Sequence, residues 1–304
     1  MKNILSRISL NFLLVLVSFS CTSAQPSYLS DKPAFVIYNK SGKQVSYSQM
    51  LNTLSGADVA LFGEQHNDPI SHWLELSLLK DLYKIKGEKL ILGSEVWEAD
   101  QQLIMNEFLA SKHMTMESYA ESSRQWKNFV TDYQPILAFA KDKGIDVIAT
   151  NVPRRYASMV SAQGIEVLDS LSDQAKAFLP TLPLHINLED EYYEEVAEFF
   201  KKMSMMKSTS VSNLVKAQAL KDATMASNIV KYLKKGNSFF HFHGEFHSAK
   251  HSAIEYYIRY YNENLTVKTV SVISQEDVMK FSSSDSRADF NVVVPNDMSK
   301  SYVD

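Results

Sequence analysis

Two short apolar runs that end in the same pattern, Gly-Glu-X-His, constrain this chain more than any other feature. Residues 57–62 lead into Gly63-Glu64-Gln65-His66, and residues 238–243 lead into Gly244-Glu245-Phe246-His247. Apolar runs of this length are typical of central strands in a parallel sheet, which are buried on both faces. The carboxyl ends of neighbouring parallel strands meet at one edge of the sheet. We therefore expect the Glu and His side chains of both copies to converge if the strands are neighbours.

Strand-like and helix-like segments alternate along the chain, which favours an α/β fold with a mostly parallel sheet flanked by helices. The connection from 151 to 236 is too long for a simple crossover and contains helical segments at Asp190–Met206 and Ser212–Lys235. We expect a single α/β domain over 26–304, with a smaller helical subdomain inserted at about 160–236. The predicted strands are 34–38, 57–63, 89–95, 145–150, 237–243, 267–272 and 289–294.

The composition is that of a globular protein, with 45% apolar and 22% charged residues among 304. The formal net charge is −4, and no basic stripe is interleaved with aromatic residues. These features argue against a nucleic-acid partner.

The first 25 residues are typical of an export signal, with a basic start, an apolar run at 10–19 and small residues before the mature chain. The only cysteine, Cys21, follows the apolar run directly, where bacterial lipoproteins carry their lipid. We expect an outer-membrane lipoprotein anchored through Cys21. Cleavage after Ala24, giving a secreted or periplasmic protein, is the alternative. Either way, a disulfide within one chain is excluded.

A third strand-end carboxylate, Glu95, follows the run Leu-Ile-Leu-Gly-Ser and is predicted at the same edge. A carboxylate buried there is unfavourable unless it pairs with a cation, a metal or a proton. One possibility is a salt bridge to an arginine such as Arg124. The other is a functional cluster made by Glu64, His66, Glu95 and His247.

Further imidazoles lie near both copies of the pattern. The strand period of two places His241 and His243 on one face, and we expect His241 in the core. His243 is the second candidate in this segment, beside His247. His72 lies about one turn into a helix predicted to begin at Asp68-Pro69, either on its surface or near a ligand.

The predicted strand 145–150 turns directly into a helix that carries Arg154, Arg155 and Tyr156 in its first turn. A helix amino terminus flanked by two arginines favours a carboxylate or phosphate ligand. Tyr156 emerges at the same place, and a tyrosinate is a good ligand for ferric haem. The alternative is a solvated first turn with Tyr156 packed on a neighbouring helix.

Five segments carry a resemblance to a known family. They are Leu61-Phe62-Gly63-Glu64-Gln65-His66, Leu92-Gly93-Ser94-Glu95-Val96 with Gln101-Gln102, Asn151-Val152-Pro153-Arg154, Lys221-Asp222-Ala223-Thr224-Met225-Ala226 and Gly244-Glu245-Phe246-His247. Taken together, these motifs resemble the ChaN family of haem-binding lipoproteins, within a wider group that includes the Tiki proteases and erythromycin esterases. The resemblance covers about residues 34–295.

The resemblance implies a parallel α/β core, export to the envelope, and a role in haem or iron acquisition. It also implies haems stacked in pairs between two protomers, with tyrosine on iron and histidine near propionates. Tyr156 best matches the iron ligand by position, and Tyr133 is second.

The wider group also implies a rival function. In its hydrolase branches, paired Gly-x-x-His motifs and a strand-end glutamate form a catalytic site, whose counterparts here are Glu64, His66, Glu95 and His247. Such a site would be a divalent-metal hydrolase in which a carboxylate activates water. A non-enzymatic envelope module for an anionic small molecule is a third possibility. The two arginines and Tyr156 favour haem.

Overall fold

A computed structural model describes residues 32–186, 191–204 and 210–302. The predictions about the export signal, Cys21 and Ala24 lie outside the described residues. The fold described below belongs to the unit that begins at Ala34.

Seven strands form one sheet, and each lies within a few residues of a predicted strand. Their order is β1-β7-β6-β2-β5-β3-β4. All neighbouring strands are parallel except β1, which pairs antiparallel with β7 at one edge. The mostly parallel α/β sheet expected from the sequence is thus confirmed. The strands are β1 Val36–Asn39, β2 Val59–Glu64, β3 Leu90–Glu98, β4 Asp146–Asn151, β5 Ser238–Gly244, β6 Val267–Gln275 and β7 Phe290–Pro295.

Ten α-helices occur in the described part of the chain, and local sequence signals fix several of their ends. The Asp68 side chain accepts a hydrogen bond from the Ser71 amide, and Pro69 occupies the first turn of α2. A π-helical turn, Phe129–Tyr133, leads into α5. The helices are α1 Tyr47–Ser55, α2 Pro69–Lys86, α3 Gln102–Ala110, α4 Met116–Ser122, α5 Gln134–Lys143, α6 Arg154–Gln163, α7 Asp173–Lys176, α8 Glu191–Ser204, α9 Val211–Tyr232 and α10 Ile254–Tyr261.

The strand alternation divides the core between the two faces of the sheet. Phe62 and Phe242 pack on the face that carries α2 and α5. Leu61 and Phe239 pack on the opposite face, against apolar residues of α9 and α10. Because side chains alternate along a strand, Glu64 continues the row of Phe62 toward α2 and α5.

The long connection between β4 and β5 contains α6 to α9. Its described part includes α8 and α9, which match the two helical segments predicted there. α6 packs against α9, and α9 packs against β4. Apolar side chains between α6 and α9 make a small core of their own, separate from those on the sheet. No helix in the described ranges has the length and apolar character needed to cross a membrane.

Candidate functional site

The adjacent strands β2, β5 and β3 bring the strand-end residues together. Glu64 lies beside Gly244 in the β2–β5 register. The Gly244 amide donates a 3.0 Å hydrogen bond to Glu95 Oε2. His66 lies over the same glycine, because a Cβ at position 244 would be 2.7 Å from its imidazole. With His247 beside Glu95, the structure gathers Glu64, His66, Glu95 and His247 at one edge, which we call the strand-end cluster.

Glu64 is buried, 2% exposed, and its two oxygens point to different neighbours. Oε1 accepts a 2.6 Å hydrogen bond from the Tyr133 hydroxyl and lies 2.8 Å from His66 Nδ1. Oε2 lies 3.7 Å from His72 Nδ1. Burial opposes the charge on Glu64, but His72 and hydrogen bonds with His66 and Glu75 outweigh it and lower the pKa to about 2. Glu64 is therefore a buried anion.

Behind Glu64 lies a second group of polar side chains, contributed by α2 and the π-helical turn. His72 Nδ1 is 3.0 Å from Glu75 Oε2, and His72 Nε2 donates to the His66 carbonyl at 3.1 Å. Asp132 Oδ2 is 3.5 Å from the same Nε2. Burial and the nearby Glu64 charge raise the pKa of Glu75 well above its usual range. His72 is thus buried in a polar interior and does not lie on the surface.

His247 lies between two buried carboxylates on the α9 side. Its Nε2 is 3.1 Å from Glu95 Oε1, and its Nδ1 is hydrogen-bonded to Asp222. Burial disfavours the imidazolium, but the charges of Glu95 and Asp222 raise its pKa to about 9. Lys221 Nζ lies 3.9 Å from Glu95 and adds a second cation. His247 is therefore a buried cation at neutral pH.

His241 and His243 lie deeper on the same face. Their Nδ1 atoms are 2.9 Å apart, and His241 Nε2 is 2.7 Å from the Thr150 hydroxyl. Burial and the neighbouring His247 charge lower the pKa of His243 to about 3. His243 is therefore neutral at pH 7, and at 1% exposure it does not reach solvent.

Arg124 does not form a salt bridge with Glu95. Arg124 contacts Glu98 and Asp100, and Glu95 pairs with His247 instead. The salt bridge between Glu95 and Arg124, one of the two alternatives, is therefore wrong, because β3 continues past Glu95 to Glu98, which together with Asp100 pairs with the arginine beyond the cluster.

Arg154 and Arg155 emerge at the end of β4 as expected, and each is held by an acidic residue. Arg154 pairs with Glu98, and Arg155 pairs with Asp100. The Arg154 side chain stays 56% exposed, so it remains accessible to a ligand.

The two candidate tyrosines do not line the cavity described below. Tyr156 is 6% exposed and packs in the small apolar core of α6 and α9, with Arg155 donating to its hydroxyl at 3.2 Å. The Tyr133 hydroxyl points inward to Glu64. Burial and the charges of Glu64 and Glu75 raise the pKa of Tyr133 well above its usual range, which disfavours a tyrosinate. Packing on a neighbouring helix, the alternative for Tyr156, describes its place in this structure.

A cavity of about 630 Å³ opens above the strand-end cluster. Trp126, Val152, Phe200 and Leu214 contribute apolar and aromatic surface, and Glu95 and Gln218 lie in its polar part. Three cationic side chains also line it: Lys127, Arg154 and Lys221. The exposed side chain of His66 lies beside this cavity, because its ring contacts Trp126 edge to face with centroids 4.9 Å apart. The cavity thus combines apolar surface with three cationic side chains and two acidic ones, Glu95 and Glu98.

Several residues of the site were not identified from the sequence as site residues. Glu75, Glu98 and Asp132 were missed, and Asp222 was noted only within a motif. The spacing of His72 and Glu75, three residues apart on a predicted helix, was a usable signal, since such residues share a face. Asp132 had no such signal, because a π-helical turn positions it.

Comparisons with known proteins identify a family and a shared fold. The chain matches the family described as haem-binding uptake, Tiki superfamily, ChaN over residues 50–258. Among solved structures it is similar to ChaN of Campylobacter jejuni with cofacial haem, with 15% identity, a TM-score of 0.65, and coverage of 86% of this chain and 96% of that chain. An erythromycin esterase mutant in its open conformation is a weaker match, with 12% identity, a TM-score of 0.43, and coverage of 81% and 78%.

A search of curated proteins gave no significant match. The family match spans more than half of the chain, and the ChaN structure shares its fold. The chain therefore belongs to the ChaN family of haem-binding uptake proteins in the Tiki superfamily.

Proposed function

We propose that this protein binds haem in the cavity above the strand-end cluster and acts in haem or iron acquisition at the bacterial envelope. The observation that carries the proposal is the cavity itself, whose volume falls in the usual range for small-molecule sites. Membership of a haem-binding family supports the choice of ligand. Bound haem supplies a ferric iron and two carboxylate groups that the chain must hold.

The lining side chains suit such a ligand. Aromatic and aliphatic side chains such as Trp126 and Phe200 offer apolar surface to the porphyrin face. Arg154 and Lys221 are placed to pair with propionates, because guanidinium and ammonium groups form charge-assisted hydrogen bonds with carboxylates. Glu98 holds Arg154 in place through its carboxylate.

His66 is the best-placed residue for the iron. Glu64 holds its Nδ1, which leaves Nε2, on the side of the ring that lies over Gly244, as the nitrogen for iron. Metal-binding histidines commonly donate their other ring N–H to a carboxylate, and this contact fixes the tautomer. Ligation by Tyr156 or Tyr133, as the family resemblance implies, requires either ring to leave the packing described above.

A haemin titration followed by visible absorption tests the site. We expect wild type to bind, and His66→Gln to change the spectrum and weaken binding roughly tenfold or more. Tyr156→Phe and Tyr133→Phe are the matched controls, and we expect both to keep the wild-type spectrum. If a tyrosine variant loses the wild-type spectrum while His66→Gln keeps it, that tyrosine is the iron ligand. Absence of binding by wild type would overturn the proposal.

We extend the proposal to cellular placement and assembly. Cys21 anchors the mature protein to the membrane, and haem joins two copies into a homodimer through the open cavity. Intact mass of membrane-extracted protein tests the anchor, because a soluble form beginning at Gln25 would indicate cleavage after Ala24. Analytical ultracentrifugation with and without haemin tests the dimer, since an unchanged monomer mass would contradict it.

A divalent-metal hydrolase is the second candidate, favoured by the convergence of Glu64, His66, Glu95 and His247 beside an open cavity. In that case Glu95 activates water and the histidines position metal or substrate. Ester and peptide substrates, tested with Mn²⁺ or Zn²⁺, distinguish the two functions. Metal-dependent turnover that disappears in Glu95→Gln supports the hydrolase, and absence of turnover removes it.

A further inference from the structure

A second set of potential metal ligands lies behind the strand-end cluster, in the interior. Glu64, His72 and Glu75 each offer one ligand atom, and these atoms lie within 4.8 Å of one another. Within the described part of the chain, no other set of three His, Cys, Asp or Glu residues has this spacing. All three side chains are buried, with Glu75 fully enclosed.

Apart from a proton that Glu64 and Glu75 can share, two oxygens of this group lack a hydrogen-bond partner among the described residues. They are Glu64 Oε2 and Glu75 Oε1, each on a side chain more than nine-tenths buried. A buried polar atom without a partner is rare and unfavourable, and a buried carboxylate is more so. The interior therefore presents acceptors that a positive ligand would satisfy.

The surrounding hydrogen bonds orient His72 for such a ligand. Its Nε2–H donates to the His66 carbonyl, with Asp132 3.5 Å away, which leaves Nδ1 facing the two glutamates. The Tyr133 hydroxyl fixes Glu64 through the other carboxylate oxygen. Hydrogen bonds of this kind around a ligand set orient the ligands and strengthen metal binding.

We propose that Glu64, His72 and Glu75 form a buried site for a divalent first-row metal ion. One imidazole and two carboxylates suit Zn²⁺, Mn²⁺ or Fe²⁺. Binding neutralises two carboxylates and releases any proton that they share. The site is proposed on grounds separate from the haem function, since its ligands do not line the cavity and, apart from Glu64, lie outside the strand-end cluster.

Zinc content decides between this interior site and the strand-end cluster. Protein produced in zinc-supplemented medium is passed over a chelating resin, and its zinc is measured by mass spectrometry. We expect one zinc per chain in wild type and in Glu95→Gln, and at least roughly tenfold less in Glu75→Gln. Glu75→Gln keeps the shape and can donate a hydrogen bond to Glu64, so circular dichroism should match wild type.

Measurements on the same preparations can also contradict the proposed metal site. Zinc retained in Glu75→Gln but lost in Glu95→Gln places the ion in the strand-end cluster and overturns the proposal. A folded wild type without zinc, and without visible absorption from added Co²⁺, leaves a shared proton as the occupant and also overturns it. If Glu75→Gln does not fold, the Co²⁺ spectra of wild type and Glu95→Gln carry the test, because an interior ion gives the same spectrum in both.

Discussion

The two Gly-Glu-X-His copies share three of four residues but place them in opposite environments. In the first copy, Glu64 is a buried site residue and the His66 side chain is 41% exposed. In the second, His247 is buried between two carboxylates, while Glu245 turns away to Arg287 and Ser271. The two patterns therefore contribute one carboxylate and two unlike histidines.

The difference arises from where each strand ends. β2 continues through Glu64, whereas β5 stops at Gly244 and Glu245–His247 forms a 3₁₀ turn. The β2–β5 register pairs Glu64 with Gly244, so the copies are offset by one residue. An offset of one reverses the face on which a side chain lies. Sequence identity thus does not imply equivalent roles, even in neighbouring parallel strands.

The two histidines should differ most in stability. His247→Gln leaves Glu95 and Asp222 facing each other without the cation between them, and breaking a buried ion pair costs about 3–5 kcal/mol. His66→Gln removes a side chain that is 41% exposed and should cost about 1 kcal/mol or less. Urea unfolding of both variants measures the contrast. Equal losses would show that the two copies are energetically equivalent.

Substitution of the two glycines by alanine should also have unequal effects on stability. A Cβ at Gly63 would lie 3.0 Å from Glu245 Cα and 3.3 Å from the Val270 carbonyl, which are main-chain atoms. Gly63→Ala should therefore cost about 1–3 kcal/mol. A Cβ at Gly244 meets the His66 imidazole, which can swing away at about 0.5–1.5 kcal/mol. Thermal unfolding compares the two, and a larger loss for Gly244→Ala would contradict this reasoning.

The two glutamates should differ in ligand binding. Glu64→Gln weakens the contact that orients His66, so haemin affinity should fall roughly tenfold. Glu245→Gln changes contacts with Arg287 and Ser271 only, and haemin affinity should remain that of wild type. Parallel titrations measure both. A comparable loss in Glu245→Gln would mean that the second carboxylate also acts at the cavity.

A further expected effect is the pH dependence of the free energy of unfolding. The folded-state pKa of His247 is raised from 6.5 to about 9, so its stabilising contribution is full below pH 6.5 and is lost as pH rises through 9. One group contributes at most about 1.4 kcal/mol per pH unit. Asp222→Asn removes one cause of the raised pKa and should flatten the slope between pH 7 and 9. An unchanged slope would exclude His247 as its source.

The sequence predicted the sheet well because apolar runs identify central strands directly. All seven strands were found, and the position of Glu64 at the end of β2 followed from where the apolar run stops. The pairing of side chains was less predictable. β3 extends beyond its predicted end to Glu98, and Arg124 pairs with this glutamate instead of Glu95. An apolar run locates a strand but does not show how far its polar end stays in the sheet.

The faces of helices were also hard to predict. Tyr156 and Arg154 share the first turn of α6, yet only Arg154 lines the cavity. The side on which a helix packs depends on its partner, here α9, which lies far along the chain. The π-helical turn that carries Asp132 and Tyr133 to Glu64 leaves no pattern that a regular period detects.

The divided contacts of Glu64 have a thermodynamic consequence. One oxygen serves His66, next to the cavity, and the other faces His72 in the interior. The two binding equilibria proposed here therefore share one carboxylate and are not independent. Any factor by which an interior ion changes the dissociation constant for haemin must be matched by an equal change in the dissociation constant for that ion when haemin is bound. The haemin affinity of a preparation can therefore depend on how much metal the protein retained during purification.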